Sequence, residues 1–338
     1  MRSGPPISAI MTIPLSVLDL APVPDGLDVG DALRASLSLA RHVEQLGFNR
    51  FWMAEHHSMP GIASAATAVA LAHVAAGTST IRIGAGGIML PNHSPLQVAE
   101  QFGTLAALHP GRIDLGLGRA PGTDQAAARA MRRTLDSDSN AFPRDVIELQ
   151  AYFAPHDSAA QVRAIPGEGL EVPLWILGSS LFGAELAAIL GLPFAFASHF
   201  APQMMEQAIA LYRSRFQPSA QLAAPYVMLG FNVFAADSDE EAELLATSLY
   251  QAFVNLRSGR PGKLPRPQVG YRESLPLEGR LMLDAVLTSS AIGSSGTVRA
   301  QLVAFVERTG ADELMITSQI HDHQARLNSY SLLAEART

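Results

Sequence analysis

Five short apolar runs of this chain end in residues that can do chemistry: Glu55-His56-His57, Gly84-Ala85-Gly86-Gly87, Gly116-Leu117-Gly118-Arg119, Gly178-Ser179-Ser180 and Ser198-His199. Their types divide by task. An imidazole with an ordinary pKa of about 6.5 gives or takes a proton near neutrality. An arginine beside hydroxyls at the start of a helix is how a phosphate is held, through a charge-assisted fork and free N–H donors. Glycines beside such a site let a flat ring lie against bare backbone. The chain has no cysteine, which removes disulfides, thiolate zinc, iron–sulfur ligation and cysteine nucleophiles together.

Each tip also has a plainer reading. His56 can be a core or capping histidine, and 84–87 can be a bulge or a place where a neighbour approaches closely. Arg119 can pair with Asp114 or Asp124, and Ser179-Ser180 can cap the helix that begins near Phe182. The chemical reading requires that all five tips meet at one rim.

The elements that would bring them together follow from hydrophobic patterning. Strands are expected at 10–18, 50–55, 80–88, 112–116, 173–177, 194–198, 226–235 and 313–317. Runs such as PLWIL, PFAFAS and ELMITS are apolar almost throughout, as strands buried on both faces must be. Amphipathic helices at 31–45, 63–75, 95–108, 183–190, 203–216, 239–256 and 297–308 alternate with them. Pro95 after Ser94 and the carboxylates of DSDEEAE mark helix starts. Eight strands alternating with helices predict a (β/α)8 TIM barrel, whose catalytic groups sit at the carboxyl ends of the strands. Such a barrel takes about 250 residues, so roughly 90 of the 338 are insertions. They are placed at about 121–171, after strand four, and 257–280, before the last strand, the second read as a mobile lid. In that mouth, a phosphate site on one side and a glycine floor for a planar ring on the other describe flavin mononucleotide (FMN).

Composition excludes other classes. With 48% hydrophobic and 16% charged residues the chain offsets its ordering entropy by burial. Its 24 basic against 31 acidic residues give no field for nucleic acid. The apolar N-terminal stretch is broken by Pro14 and Asp19 without a cleavage pattern, so it reads as the first strand of a cytoplasmic protein. No window holds the roughly 18 apolar residues of a membrane span. No metal site is expected: His321-Asp322-His323 reads as a solvated loop. Neither GxSxG nor a P-loop is present, and 84–87 lacks the third glycine of a dinucleotide fingerprint.

The runs FWMAEHH, IRIGAGGIMLPNHSPLQVAEQFGTLAALHPGRIDLGLGRAPGTD and LWILGSSLFGAELAAILGLPFAFASHF, in this order, resemble the bacterial luciferase-like flavin-dependent monooxygenases, and ELMITSQIHD resembles that family's last strand. The resemblance implies one barrel domain over 1–338 and a two-component monooxygenase. That enzyme would use O2 and reduced FMN, delivered by a separate flavin reductase, on a small organic substrate. His56 falls where the family places the imidazole that handles flavin–oxygen chemistry. Ala85, Gly86 and Gly87 fall where it lines the ring, often with a non-proline cis peptide. Arg119 matches its phosphate arginine, and Ser179, Ser180 and the turn to Gly183 match its phosphate-binding turn. Met89, Phe200 and 257–280 are expected to keep water out. Two departures, Gly118 for a reactive cysteine and Ser179 for a glutamate, argue against light emission. A homodimer is implied by the resemblance alone. Two rival readings keep the fold: a deazaflavin F420-dependent hydride-transfer enzyme, and a flavin-binding barrel without catalysis.

Overall fold

The computed structural model describes residues 13–120, 130–131 and 141–337. It contains the strands β1 (Leu15–Asp19), β2 (Arg50–Met53), β3 (Arg82–Met89), β4 (Ile113–Gly118), β5 (Leu174–Gly178), β6 (Phe194–Phe196), β7 (Val227–Ala235), β8 (Ser290–Gly293) and β9 (Glu313–Thr317). All but β8 form a closed ring in the order β1-β2-β3-β4-β5-β6-β7-β9, with β9 returning to β1 and every ladder parallel. This is the (β/α)8 barrel expected from the sequence. Residues 10–12 of the first expected strand and most of 121–140 lie outside the described residues.

Register shows why the strands are apolar throughout. Val17, Phe51, Ile83 and Ile113 are successive ladder partners at one level, and all are buried on the outer face against helices. Their neighbours point inward. The amino-terminal layer of the interior is ionic, with Arg50, Arg82, Asp114 and Glu313; Arg50 meets Asp114 at 2.7 Å and Glu313 at 3.0 Å. Above it lies an apolar layer of Leu18, Trp52, Trp175, Ala195, Met228 and Met315. At the carboxyl ends the alternation of β4 and β7 brings in Gly118 and Gly230, and the room they leave is taken by the Met89 sulfur and the His199 ring.

The main helices are α1 (Val29–Gln45), α2 (Thr67–Ala76), α3 (Pro95–Leu108), α4 (Phe142–Phe153), α5 (Leu181–Leu190), α6 (Met205–Arg215), α7 (Asp239–Arg257), α8 (Tyr271–Ser274), α9 (Leu277–Leu287), α10 (Ser295–Thr309) and α11 (His323–Ala336). Ser238 caps α7 by accepting from the Glu241 amide, above a first turn of three carboxylates. Asp322 caps α11, while His321 and His323 turn to the Asp25 carbonyl and the Ser38 hydroxyl. Among the described residues no helix is long and apolar enough to cross a membrane.

Two features differ from the sequence expectation. The tetrapeptide SAIG forms a ninth strand, β8, which pairs with β7 beyond the end of β6; four residues with two glycine or serine ends give no periodicity to read. The segment 257–280, expected to be irregular and mobile, is laced to its surroundings and includes α8. Leu264 is buried, its amide donates to the Val23 carbonyl at 2.8 Å, and its carbonyl accepts from Asp25 at 2.9 Å. The Lys263 ammonium reaches the Leu27 carbonyl and the Gln268 amide reaches the Thr247 hydroxyl. A Pro- and Gly-rich chain satisfies its backbone against neighbouring loops rather than within itself.

Candidate active site

All five tips end adjacent parallel strands of the ring and so share its carboxyl rim. The tip of β2 is tied to that of β3 through Glu55, which is 1% exposed. One of its oxygens, Oε1, accepts from His57 Nε2 at 2.6 Å and from His93 Nε2 at 2.8 Å, while Oε2 accepts from the Met89 amide at 2.9 Å. Burial pushes the Glu55 carboxyl up, but the donors from His93, His57 and the Met89 amide outweigh it and hold the group below the usual carboxylate range. An ionised carboxylate only accepts, so both imidazoles present Nε2–H to it. The three side chains offer ligand atoms within 4.8 Å of one another, a grouping the sequence reading did not assemble. The sequence assigns His93 no role; its position four residues beyond the end of β3 is the signal that could have found it.

A first prediction arises here. In Glu55→Gln one oxygen must become an amide that donates, so at least one of the three contacts turns donor against donor. The loss is expected to be about 1–3 kcal/mol at pH 7. Because the folded-state pKa lies below the unfolded one, Glu55 stabilises above roughly pH 4.3 and loses that contribution as pH falls through its folded value. Urea midpoints at pH 7 and in mild acid should therefore differ less in the variant than in the parent.

At β3 the peptide bond Gly86-Gly87 is cis, where the resemblance implied it. The ladder with β4 shifts register between Ala85 and Ile88, so the plainer reading of 84–87 as a bulge also holds. A Cβ on Gly86 would come 2.9 Å from Leu18 and 3.1 Å from Trp52, and one on Gly87 2.7 Å from the Gly116 carbonyl. Packing against the chain itself thus already demands glycine there.

Arg119 is exposed at the end of β4. It does not pair with Asp114, which is held by Arg50 and Arg82; Asp124 lies outside the described residues. Its guanidinium instead stacks 4.1 Å over the Phe182 ring, in the first turn of α5. Ser180 is the residue before that turn, and its side chain makes no capping bond. Ser179 and Ser180 are exposed, and a Cβ added to Gly178 would lie 3.7 Å from the Gly183 Cα. The geometry therefore presents a cation, two hydroxyls and a helix amino terminus together.

His56, half-buried after β2, lies close enough to His199 after β6 for their charges to interact. The His199 ring covers Gly230, where any Cβ would overlap it. Its backbone is clamped by Asn232 donating to the His199 carbonyl at 2.9 Å and by Ser198 donating to the Gly230 carbonyl at 2.7 Å. Burial, with a smaller contribution from His56, pushes the His199 imidazole down to about 4. Its Nδ1 is buried without a hydrogen-bond partner among the described residues. Gly230 falls inside the strand expected at 226–235, and a lone glycine within YVMLGFNVF is the sequence mark of a close neighbour. Phe200, expected over the mouth, meets Phe253 edge to face and lies under the Arg257 guanidinium. A larger open groove of about 410 Å³ lies outside the barrel between α7, α9 and β8, and its charged groups, Arg272 with Asp284 and Tyr250 with Glu243, satisfy one another.

The chain is similar to known proteins over nearly its whole length. The family model described as luciferase-like monooxygenase matches residues 13–313. A luciferase-like monooxygenase of Escherichia coli K12 is 52% identical over 326 residues, covering 96% of this chain and 97% of that protein. The N-acetyl-S-alkylcysteine monooxygenase of Bacillus subtilis is 32% identical, covering 96% and 98%. The crystal structure of apo-MsnO8 superposes with a TM-score of 0.89 at 38% identity, covering 96% and 98%.

Proposed function

The chain belongs to the luciferase-like monooxygenase family, and from that premise we propose that it is a two-component flavin monooxygenase acting on a small organic molecule, with reduced FMN supplied by a separate reductase. The observation that carries the cofactor assignment is the Arg119 guanidinium stacked on Phe182 beside the uncapped start of α5, on the rim where Gly86 lines the mouth without a side chain. An anion suits the first and a flat ring the second, and the His199 Nδ1, buried without a partner among the described residues, supports a further group in the mouth. The residues present therefore fit a flavin nucleotide.

When bound, reduced flavin supplies the electrons for O2 chemistry. The chain supplies the rest. Arg119, with Ser179, Ser180 and the amides leading to Gly183, binds and orients the phosphate. Gly86 faces the ring, with Ala85 and Gly87 contributing backbone alone, since the Ala85 methyl is buried in the outer core. His56 holds or moves the reaction's proton on its imidazole, in a mouth whose rear wall is apolar and excludes water. The relative named for N-acetyl-S-alkylcysteine supports a small organic substrate.

Equilibrium titration of the purified protein with reduced FMN and with reduced F420, followed by oxygen uptake with FMN, tests this reading. Micromolar binding of reduced FMN, with oxygen consumption distinct from that of free flavin, is expected. Preference for F420 would transfer the fold to hydride chemistry. Tight binding of oxidised FMN without altered oxygen consumption would make it a flavin-holding barrel.

A further inference from the structure

Behind the rim, along the barrel axis, is a cavity of about 50 Å³. Leu18, Trp52, Leu177, Met228 and Met315 wall it, Gly86 stands at its rim, and His199 supplies its polar edge. One feature is hard to explain as packing. The Nδ1 of His199 is buried without a partner among the described residues, although a buried imidazole nitrogen ordinarily finds one. Gly230, with no side chain, lets the His199 ring take the place of a Cβ and so seats that nitrogen inside the barrel at the edge of the cavity.

We propose that this cavity is a substrate subsite that takes a short, uncharged, mainly apolar group bearing one hydrogen-bonding atom, which is bound by His199 Nδ1. The inference rests on the mouth being the reaction site proposed above. Size sets the first limit: a water needs roughly 10–15 Å³ measured in this way, so 50 Å³ admits about three or four heavy atoms. Chemistry sets the second. No lysine, arginine, aspartate or glutamate lines the space, so a charged group would lose its hydration without compensation. The His199 imidazole is neutral at physiological pH and offers no charge either. Water is a poor occupant, since it needs two to four polar partners and the side chains here supply one.

The test uses the full chain without flavin, so its failure would leave the flavin reading standing. Protein carrying ¹³C-methyl methionine and ¹⁵N-histidine is titrated with two probes, xenon and acetone, with Met228→Leu and Met315→Leu assigning the methyl signals. Both probes should shift the Met228 and Met315 methyls, and only acetone should shift the His199 ring nitrogens. In His199→Phe, acetone should bind roughly three- to tenfold more weakly while xenon still binds; in His199→Gln, which keeps a donor and an acceptor at that end, acetone affinity should be largely retained. Methyl signals unmoved by both probes in the parent protein would overturn the proposal, as would acetone affinity unchanged in His199→Phe.

Discussion

Arg119→Ala is expected to weaken binding of FMN about ten- to a hundredfold and to leave riboflavin binding unchanged. A hydrogen bond to a charged group contributes about 1.5–3 kcal/mol, and a guanidinium on a phosphate can make two. Riboflavin carries the same ring without the phosphate, so the two ligands separate the anion site from the ring site within one protein. The variant should keep its fold, because Arg119 is exposed and its stack on Phe182 contributes about 0.5–1 kcal/mol at such a site. Fluorescence titration of both ligands, with a urea midpoint as control, makes the measurement. Equal weakening of FMN and riboflavin would remove Arg119 from the phosphate and take the main support of the cofactor assignment with it.

That prediction depends on a residue legible from sequence, and so does most of the frame around it. Strands buried on both faces write themselves as continuous apolar runs, and β4, β5 and β9 could be placed to within a residue or two. Their carboxyl ends then fixed where to look for Glu55, Gly86, Arg119, Ser180 and His199. Legibility fails where a residue's role is set by a neighbour far along the chain. Glu55 stands beside His56 in sequence, yet its partner His93 is 38 positions away. Gly230 is explained only by a ring 31 positions earlier. The ties of Leu264 to Val23 and Asp25 are equally invisible, because backbone pairing between irregular loops leaves no side-chain pattern. The alternatives for Arg119 were separable only once Asp114 was seen in the grip of two other arginines.

Those two arginines carry the largest stability prediction. Asp114→Asn is expected to cost about 3–5 kcal/mol, the range for removing one partner of a buried ion pair. Asp114 is fully buried, takes Arg50 Nη1 at 2.7 Å and Arg82 Nη2 at 2.6 Å, and accepts from Trp52 Nε1 at 3.3 Å. Glu313 cannot absorb the displaced Arg50, since its oxygens already take Ser16, Asn49, Arg50 itself and Tyr226. An asparagine keeps the shape but removes the charge and points an N–H₂ at a guanidinium. The exposed pair Arg34–Asp31 is the control: its side chains are 69% and 37% exposed, and Asp31→Asn should leave the urea midpoint close to that of the parent. The consequence reaches the mouth through the tryptophans. The chain has only two, Trp52 and Trp175, both buried in the layer directly above the ions and 5.2 Å apart edge to face, with Arg50 lying 4.8 Å over Trp175. Tryptophan emission therefore reports on this layer alone, and it should shift to the red in Asp114→Asn under native conditions. Trp52 also walls the cavity and underlies Gly86, so the same variant should blur the xenon-induced shifts at Met228 and Met315. A urea midpoint within the range of Asp31→Asn, with unmoved emission, would show that the ionic layer fills the barrel without holding it together.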